Sequence, residues 1–375
     1  MDEQLQGLAL RSTVTADGLL RLSLETVRFD EPGPDEVIVR VEATPINPSD
    51  LGLLFGPADV TTMRSEGPAD RPLLVADIPP QRLRAVEGRI GQPMPVGNEG
   101  AGTVVRAGAN VQSLLGRKVG MIGGGMYTQY RKLPAASCMP LPDGASAADG
   151  AAMFVNPLTA LGFVETMKAE GHSALVHTAA ASNLGVTLNR ICLADGVPLV
   201  NIVRSEAQAA SLRAIGARFV ADSTSPDFRA ELIDAVAATG ATLGFDAVGG
   251  GKLAGQILDA MEAAAARGSK GYSIYGSGSR KQVYIYGGLD TGPTIIDRTF
   301  GLSWELGGWL LTPFLQKAGP ETAARLRQRV ADELLTTFAS HYTAVISLSD
   351  VLRPEIAGAY QRKATGEKYL IDPSR

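Results

Sequence analysis

Arg204 and Ser205 stand directly after an apolar run, Val197–Val203 (VPLVNIV), that reads as a buried strand. A carboxylate at the end of such a strand would bind the ribose 2′-hydroxyl of NAD. A guanidinium instead fits a 2′-phosphate bidentately, and a serine hydroxyl adds a hydrogen bond. The pair therefore points to NADPH rather than NADH. The plainer alternative is that Arg204 is a solvated loop charge. Upstream lie a short apolar run, Ala174–Thr178, a turn of small residues, Ala179–Gly185 (AAASNLG), and apolar positions at helical spacing over Val186–Ala194. Strand, turn, helix and strand make a βαβ unit. Small residues let a pyrophosphate approach the helix N-terminus, where free N–H groups and the helix dipole favour negative charge. Ser182, Asn183, Leu184 and Gly185 would line it. The full G-x-G-x-x-G spacing is absent, and only Gly185 stands at its helix-packing position, so a crossover without nucleotide is the alternative.

The elements around this unit must position it. The chain has 375 residues, 45% hydrophobic and 20% charged, with net charge −4. Such a composition suits a globular protein long enough for two domains, and it gives no electrostatic footprint for nucleic acid or an anionic membrane. Two cysteines, Cys138 and Cys192, make no disulfide framework and suit a reducing, cytoplasmic setting. The acidic N-terminus does not read as a signal peptide, and no apolar run approaches the roughly 18 residues needed to span a bilayer.

Up to about residue 148 the pattern is β-rich. Leu19–Val27 and Glu36–Ala43 read as strands, the second with Val37, Val39 and Val41 on one face. In TPINPSD, Ser49 and Asp50 are placed to cap a short helix. Residues 56–91 read as a loop insertion. Strands follow in Pro95–Val105 and Gly116–Ile122. From about Asp149 helix and strand alternate: a helix with Pro157 in its first turn, the βαβ unit, a helix capped by Ser205, strands at Thr242–Val248, Val283–Gly288 and Leu302–Leu311, and a helix over Glu321–Phe338. Repeated β-α-β with short connections implies an α/β fold with a doubly wound parallel sheet.

The order of these pieces carries a resemblance. DEVIVRVEATPINPSD, PVGNEGAGTVVRAGANV, GRKVG, the Asn-Pro-Leu-Thr of Asn156–Thr159, AAASNLG, VNIVRS, LRAIGARFV, FDAVGG, YIYGG and GEKYLI run in an order that resembles the zinc-independent, quinone oxidoreductase-like branch of the medium-chain dehydrogenase/reductase superfamily. The resemblance implies a GroES-like β-rich catalytic domain, residues 1–148 and 313–375, plus a Rossmann NADP-binding domain, residues 149–312. It implies hydride transfer from NADPH to a quinone or other α,β-unsaturated carbonyl, and a homodimer extended through the strand at Leu302–Leu311. Zinc-binding relatives carry a Cys where this chain has Asn47 and Gly-His-Glu where it has Gly97-Asn98-Glu99. The three histidines, His172, His177 and His341, and the two cysteines are not at ligand spacing, so no metal is expected.

By the same resemblance Asn47 is a hydrogen-bond donor beside the nicotinamide or substrate oxygen, and Thr159, helped by Asn156, contacts the nicotinamide. Gly287 and Gly288 let the cofactor lie close to the strand end. Lys368 is either a basic position near the cofactor or a solvated charge, and Trp309 either a core or dimer-face aromatic or a pocket wall. The rival reading is an enoyl-thioester reductase of the mitochondrial type. GNEGAG, VNIVRS and the GGW of Gly307–Trp309 resemble that group, and Arg82, Arg84 and Arg89 could take a CoA or carrier phosphate. Its proton-donating Tyr has no counterpart in Leu51–Val60. A non-enzymatic NADPH-binding protein is the third reading.

Overall fold

The computed structural model describes residues 4–68, 71–268, 273–362 and 366–375. The chain divides into two compact units: Met1–Val155 with Arg329–Arg375, and Asn156–Gln328. The sequence patterns change at 148/149 and 312/313, whereas the units change hands at 155/156 and 328/329.

The first unit is built on two sheets. One runs in the order Arg64–Glu66, Leu73–Asp77, Leu19–Arg28, Gln6–Val14, Met94–Pro95. The other runs Cys138–Pro140, Lys118–Ile122, Glu99–Ala107, Glu36–Pro45, Tyr369–Ile371, Ala344–Ile346, with Tyr130–Pro134 also paired to Glu36–Pro45. Val37, Val39 and Val41 face a cluster with Val104, Val119 and Met121, as their alternation predicts. Ile38 between them is buried as well, so the strand is covered on both faces.

Residues 56–91 are not a loop. They contribute the strands Arg64–Glu66 and Leu73–Asp77 and a short helix, Pro80–Arg84. Leu73–Asp77 pairs antiparallel with Leu19–Arg28, and Leu74 and Ala76 join the unit's main core cluster. The apolar run PLLVADI is bracketed by Pro, Arg and Asp, which hides a strand from a periodicity reading. Residues 69 and 70 of this segment lie outside the described residues. Arg89 is spent structurally: its guanidinium donates to Ser12 Oγ (3.1 Å) and the Leu53 carbonyl (3.3 Å). Arg82 donates to the Ala58 carbonyl.

The second unit is a six-stranded sheet in the order Phe219–Asp222, Leu199–Val203, Leu175–His177, Leu243–Asp246, Lys281–Ile285, Trp304–Gly308. Every neighbouring pair is parallel. Counted in chain order from the Leu175–His177 strand, this is 3-2-1-4-5-6, the Rossmann order. The order reverses between Leu175–His177 and Leu243–Asp246, and ligands of such sheets bind outside the carboxyl ends of the strands at that switch.

Two element readings change. The helix expected over Glu321–Phe338 starts earlier and ends earlier, as Leu311–Asp332, broken at Gly319 (φ 84°, ψ 167°) before Pro320. The Gly-Pro pair marks the second segment's start, not the element's. Residues 147–169 form a helical stretch long and apolar enough to cross a membrane by composition, which the sequence reading missed. It is mostly buried inside the fold, which gives a core helix the same apolar signature.

The turn after Leu175–His177 holds Ala179 at φ 49°, a left-handed conformation in a non-glycine residue. That costs about 1–2 kcal/mol for an L-residue. Glycine would remove this strain while adding an entropic cost of about 0.5–1 kcal/mol. Ala179→Gly should therefore raise the melting temperature by about 2–4 °C in thermal denaturation. A lower melting temperature would mean that the turn is not strained.

Candidate functional site

The helix Asn183–Asp195 follows the Leu175–His177 strand through a turn with almost no spare volume. A Cβ on Gly185 would stand 2.2 Å from the Ala180 carbonyl oxygen, so the helix can approach the strand end only with glycine there. Ser182 caps the helix, its Oγ accepting from Gly185 N–H at 3.2 Å. The N–H groups of Asn183 and Leu184 find no partner among the described residues. Exposed Asn183 and half-buried Ser182 and Leu184 thus surround a helix N-terminus with two unused donors, a suitable seat for a pyrophosphate. The neighbouring strand ends are tied together: Thr178 Oγ1 donates to Asp246 Oδ1 (2.7 Å) and accepts from Ala247 N–H (2.8 Å).

The next strand, Leu199–Val203, is buried throughout and ends at Arg204. Arg204 is exposed, and its backbone N–H donates to Gln208 Oε1. Its guanidinium makes no ion pair among the described residues. Ser205 caps the helix Glu206–Ala214, accepting from Gln208 N–H, and its hydroxyl proton stays available. Three and four strands further across the sheet, Tyr286, Gly287, Gly288, Gly308, Trp309 and Leu310 line a cleft of about 520 Å³. Trp309 is a wall of that cleft and a packed aromatic at once: its Nε1 donates to Thr166 Oγ1 (3.1 Å), and its ring meets Phe163 and Phe314. Asn156 is half-buried and Thr159 buried near the start of the helix Val155–Ala169.

The remaining site residues lie in the first unit. Asn47 is 2% exposed. Its Nδ2 donates to Glu99 Oε1 at 2.8 Å, so one of its two amide protons is already committed. Glu99 is fully buried, and its other oxygen accepts from the N–H groups of Phe154 and Val155, both at 2.9 Å. Burial raises its pKa; these donors and the field of Lys368 oppose the rise. Lys368 is no solvated charge. It is 4% exposed, donates to Ser340 Oγ and lies 5.1 Å above the Tyr342 ring. Burial lowers its pKa to about 8, against the pull of Glu99.

Asp50 departs from its expected role. It precedes the short helix Leu51–Leu54 but makes no side-chain cap; its carboxylate turns into the core. There it accepts from the N–H groups of Asn47 (2.8 Å) and Asn98 (2.9 Å) and from Tyr127 OH (3.0 Å). Ser49 instead accepts from the Asn98 amide. Tyr127 packs flat on Gly97, where a Cβ would come within 2.4 Å of its ring. Glu99 and Tyr127 were given no role from the sequence, and Asp50 only that of a cap. The available signal was a carboxylate on each side of the Asn47 turn, set among small and apolar residues. His172 bonds Thr242 and Gln282, and His177 bonds Tyr286. Among the described residues no three His, Cys, Asp or Glu side chains are grouped to hold a metal ion. Burial pushes both thiols up to about 12, so neither is a nucleophile.

Residues 33–143 match the alcohol dehydrogenase GroES-like domain. A crystal structure of a protein from Mesorhizobium loti bearing the name NADPH:quinone reductase is 26% identical, with full coverage of both chains and a TM-score of 0.73. The chain is thus similar to the quinone oxidoreductase-like branch of the medium-chain dehydrogenase/reductase superfamily, which these likenesses support. Its two units are accordingly the GroES-like and Rossmann parts of that fold. The mitochondrial enoyl-[acyl-carrier-protein] reductase of Xenopus tropicalis is 28% identical over 197 residues, 51% of this chain and 48% of that protein. The chain thus spans about half the length of the mitochondrial enoyl reductases it matches. The mitochondrial 2-enoyl thioester reductase heterodimer from Candida tropicalis shares the fold at 19% identity, with a TM-score of 0.65 over 98% of this chain and 100% of that one.

Asp50 also generates a prediction. Burial lifts its pKa from 3.8 to about 7, the three donors notwithstanding. The folded protein therefore holds a proton that the unfolded chain releases, and this stabilisation is complete below 3.8 and lost as pH rises through 7. Asn mimics the protonated acid, so the melting-temperature advantage of wild type over Asp50→Asn should shrink from pH 4 to pH 7. A constant gap in differential scanning fluorimetry would contradict it.

Proposed function

We propose that this protein is an NADPH-dependent reductase that delivers hydride to an electron-poor acceptor, a quinone or another α,β-unsaturated carbonyl. The observation that carries this reading is the pairing, in one Rossmann sheet, of the open helix N-terminus at Ser182–Gly185 with an exposed Arg204, without an ion pair among the described residues, at the end of the next strand. The first suits a pyrophosphate and the second a 2′-phosphate. The residues present fit such a nucleotide, and the cleft beside Gly287 and Gly288 gives its flat ring a close approach to backbone. Bound there, the nucleotide supplies the hydride; the chain's own residues hold and orient it and exclude water. Asn47, its amide oriented by Glu99, keeps one proton for a substrate oxygen. The acceptor already withdraws electrons, so this chemistry needs no metal to polarise it, and Asn47 and Asn98 stand where zinc-binding relatives carry Cys and His. The outer edge of the Trp304–Gly308 strand, with exposed Leu302 and Leu310 beside it, favours a homodimer.

Reduction of an enoyl thioester is the second reading, favoured by the similarity to the Xenopus tropicalis enoyl reductase. Against it, Leu51–Val60 contains no tyrosine to give a proton to carbon.

Purified protein should oxidise NADPH with ortho- or para-quinones. Turnover confined to enoyl-CoA would promote the second reading, and no turnover with quinone, enone or enoyl-CoA would defeat both. Arg204→Ala should raise KM for NADPH by about tenfold or more while leaving that for NADH within about twofold. An unchanged cofactor preference would remove Arg204 from the site.

A further inference from the structure

Tyr286 follows the Lys281–Ile285 strand and is a wall of the cleft. Its hydroxyl lies 2.8 Å from Nε2 of His177, the last residue of the Leu175–His177 strand. The two rings stack with centroids 5.8 Å apart and planes at 18°. Phe163 packs edge-on against Tyr286 and tilted against His177. His177 is fully buried, and its Nδ1 has no hydrogen-bond partner.

A neutral imidazole carries a single N–H. Were that proton on Nδ1, it would be a buried donor with no acceptor, the rarer and costlier kind of orphan. With the proton on Nε2, the imidazole donates to the phenol oxygen, and the donor left over is the hydroxyl of a cleft-lining residue rather than a ring N–H inside the fold. The phenol oxygen then accepts, and its own proton is free to serve a ligand. Burial keeps both groups in these states: it lowers the His177 pKa to about 3 and raises that of Tyr286 well above the usual phenol value. Tyr286 is accordingly a hydrogen-bond donor that does not surrender its proton.

We propose that Tyr286, oriented by His177, donates a hydrogen bond to the carboxamide oxygen at the nicotinamide end of the dinucleotide. Tyr286 would touch the cofactor; His177 is a positioning residue. The inference rests on the nucleotide reading of the preceding subsection. It adds a polar anchor to a cleft otherwise walled by glycine backbone and apolar side chains. It also explains why a histidine stands inside an otherwise apolar strand.

Isothermal titration with NADPH and with 2′,5′-ADP, which shares the 2′-phosphate but lacks the nicotinamide, separates the possibilities. Tyr286→Phe keeps the ring and its stacking. It should weaken NADPH about tenfold and leave 2′,5′-ADP within about twofold. His177→Leu should reproduce that split, and His177→Gln, which restores an N–H donor, should recover most of the NADPH affinity. Unchanged NADPH affinity in Tyr286→Phe, or equal loss for both ligands, would overturn the inference while leaving the nucleotide reading intact. Failure of the wild-type protein to bind either ligand would overturn the nucleotide reading itself.

Discussion

Residue 185 has no room for a side chain, and the Rossmann half of the molecule depends on that. The Ala180 carbonyl lies so near the start of the following helix that even a methyl group would collide with it. Because the helix can come this close, its first N–H groups sit immediately outside the Leu175–His177 strand end, where the sheet order reverses. The strain of Ala179 in the same turn belongs to that tight approach. From there the remaining parts follow by strand geometry: the parallel neighbour places Arg204 at its end, and the strands on the other side place Tyr286, Gly287 and Trp309.

In the other unit the governing constraint is electrostatic. Asp50 and Glu99 are both buried and both beside Asn47, and the charge of Glu99 adds to the burial that raises the pKa of Asp50. Removing two carboxylates from water is expensive unless every lone pair finds a donor. The chain meets this with backbone N–H groups from Asn47, Asn98, Phe154 and Val155, the Asn47 amide and the Tyr127 hydroxyl. The buried ammonium of Lys368 supplies the opposite charge at longer range. The Asn47 turn is thus held through backbone and side chain together, a rigidity suited to presenting one amide proton.

Much of this was legible beforehand, for definable reasons. VPLVNIV is apolar but for Asn201 because a central parallel strand is covered on both faces, and its end was therefore visible where Arg204 begins. Ser205 read correctly as a cap because small hydroxyl residues before a helical pattern have few other uses. Asp50 misled by the same rule: its type fitted a cap, but only tertiary packing decides whether a carboxylate turns to the helix or to the core. The strand Leu73–Asp77 escaped notice because its partner, Leu19–Arg28, is far away in sequence and its flanks are rich in turn formers. His177 was counted only against metal ligation; its pairing with Tyr286 spans 109 residues and leaves no local mark.

The GroES-like unit is made from both ends of the polypeptide, and the Tyr369–Ile371 strand is inserted between Glu36–Pro45 and Ala344–Ile346. On the ribosome the Rossmann unit is complete while its partner still lacks an interior strand and the ammonium that balances Glu99. Until residues 369–371 are made, the Thr44–Pro45 end of the Glu36–Pro45 strand lacks its antiparallel partner and stays open to wrong ones. Loss of residues 369–371 would therefore take out an interior plank of that sheet rather than a fringe.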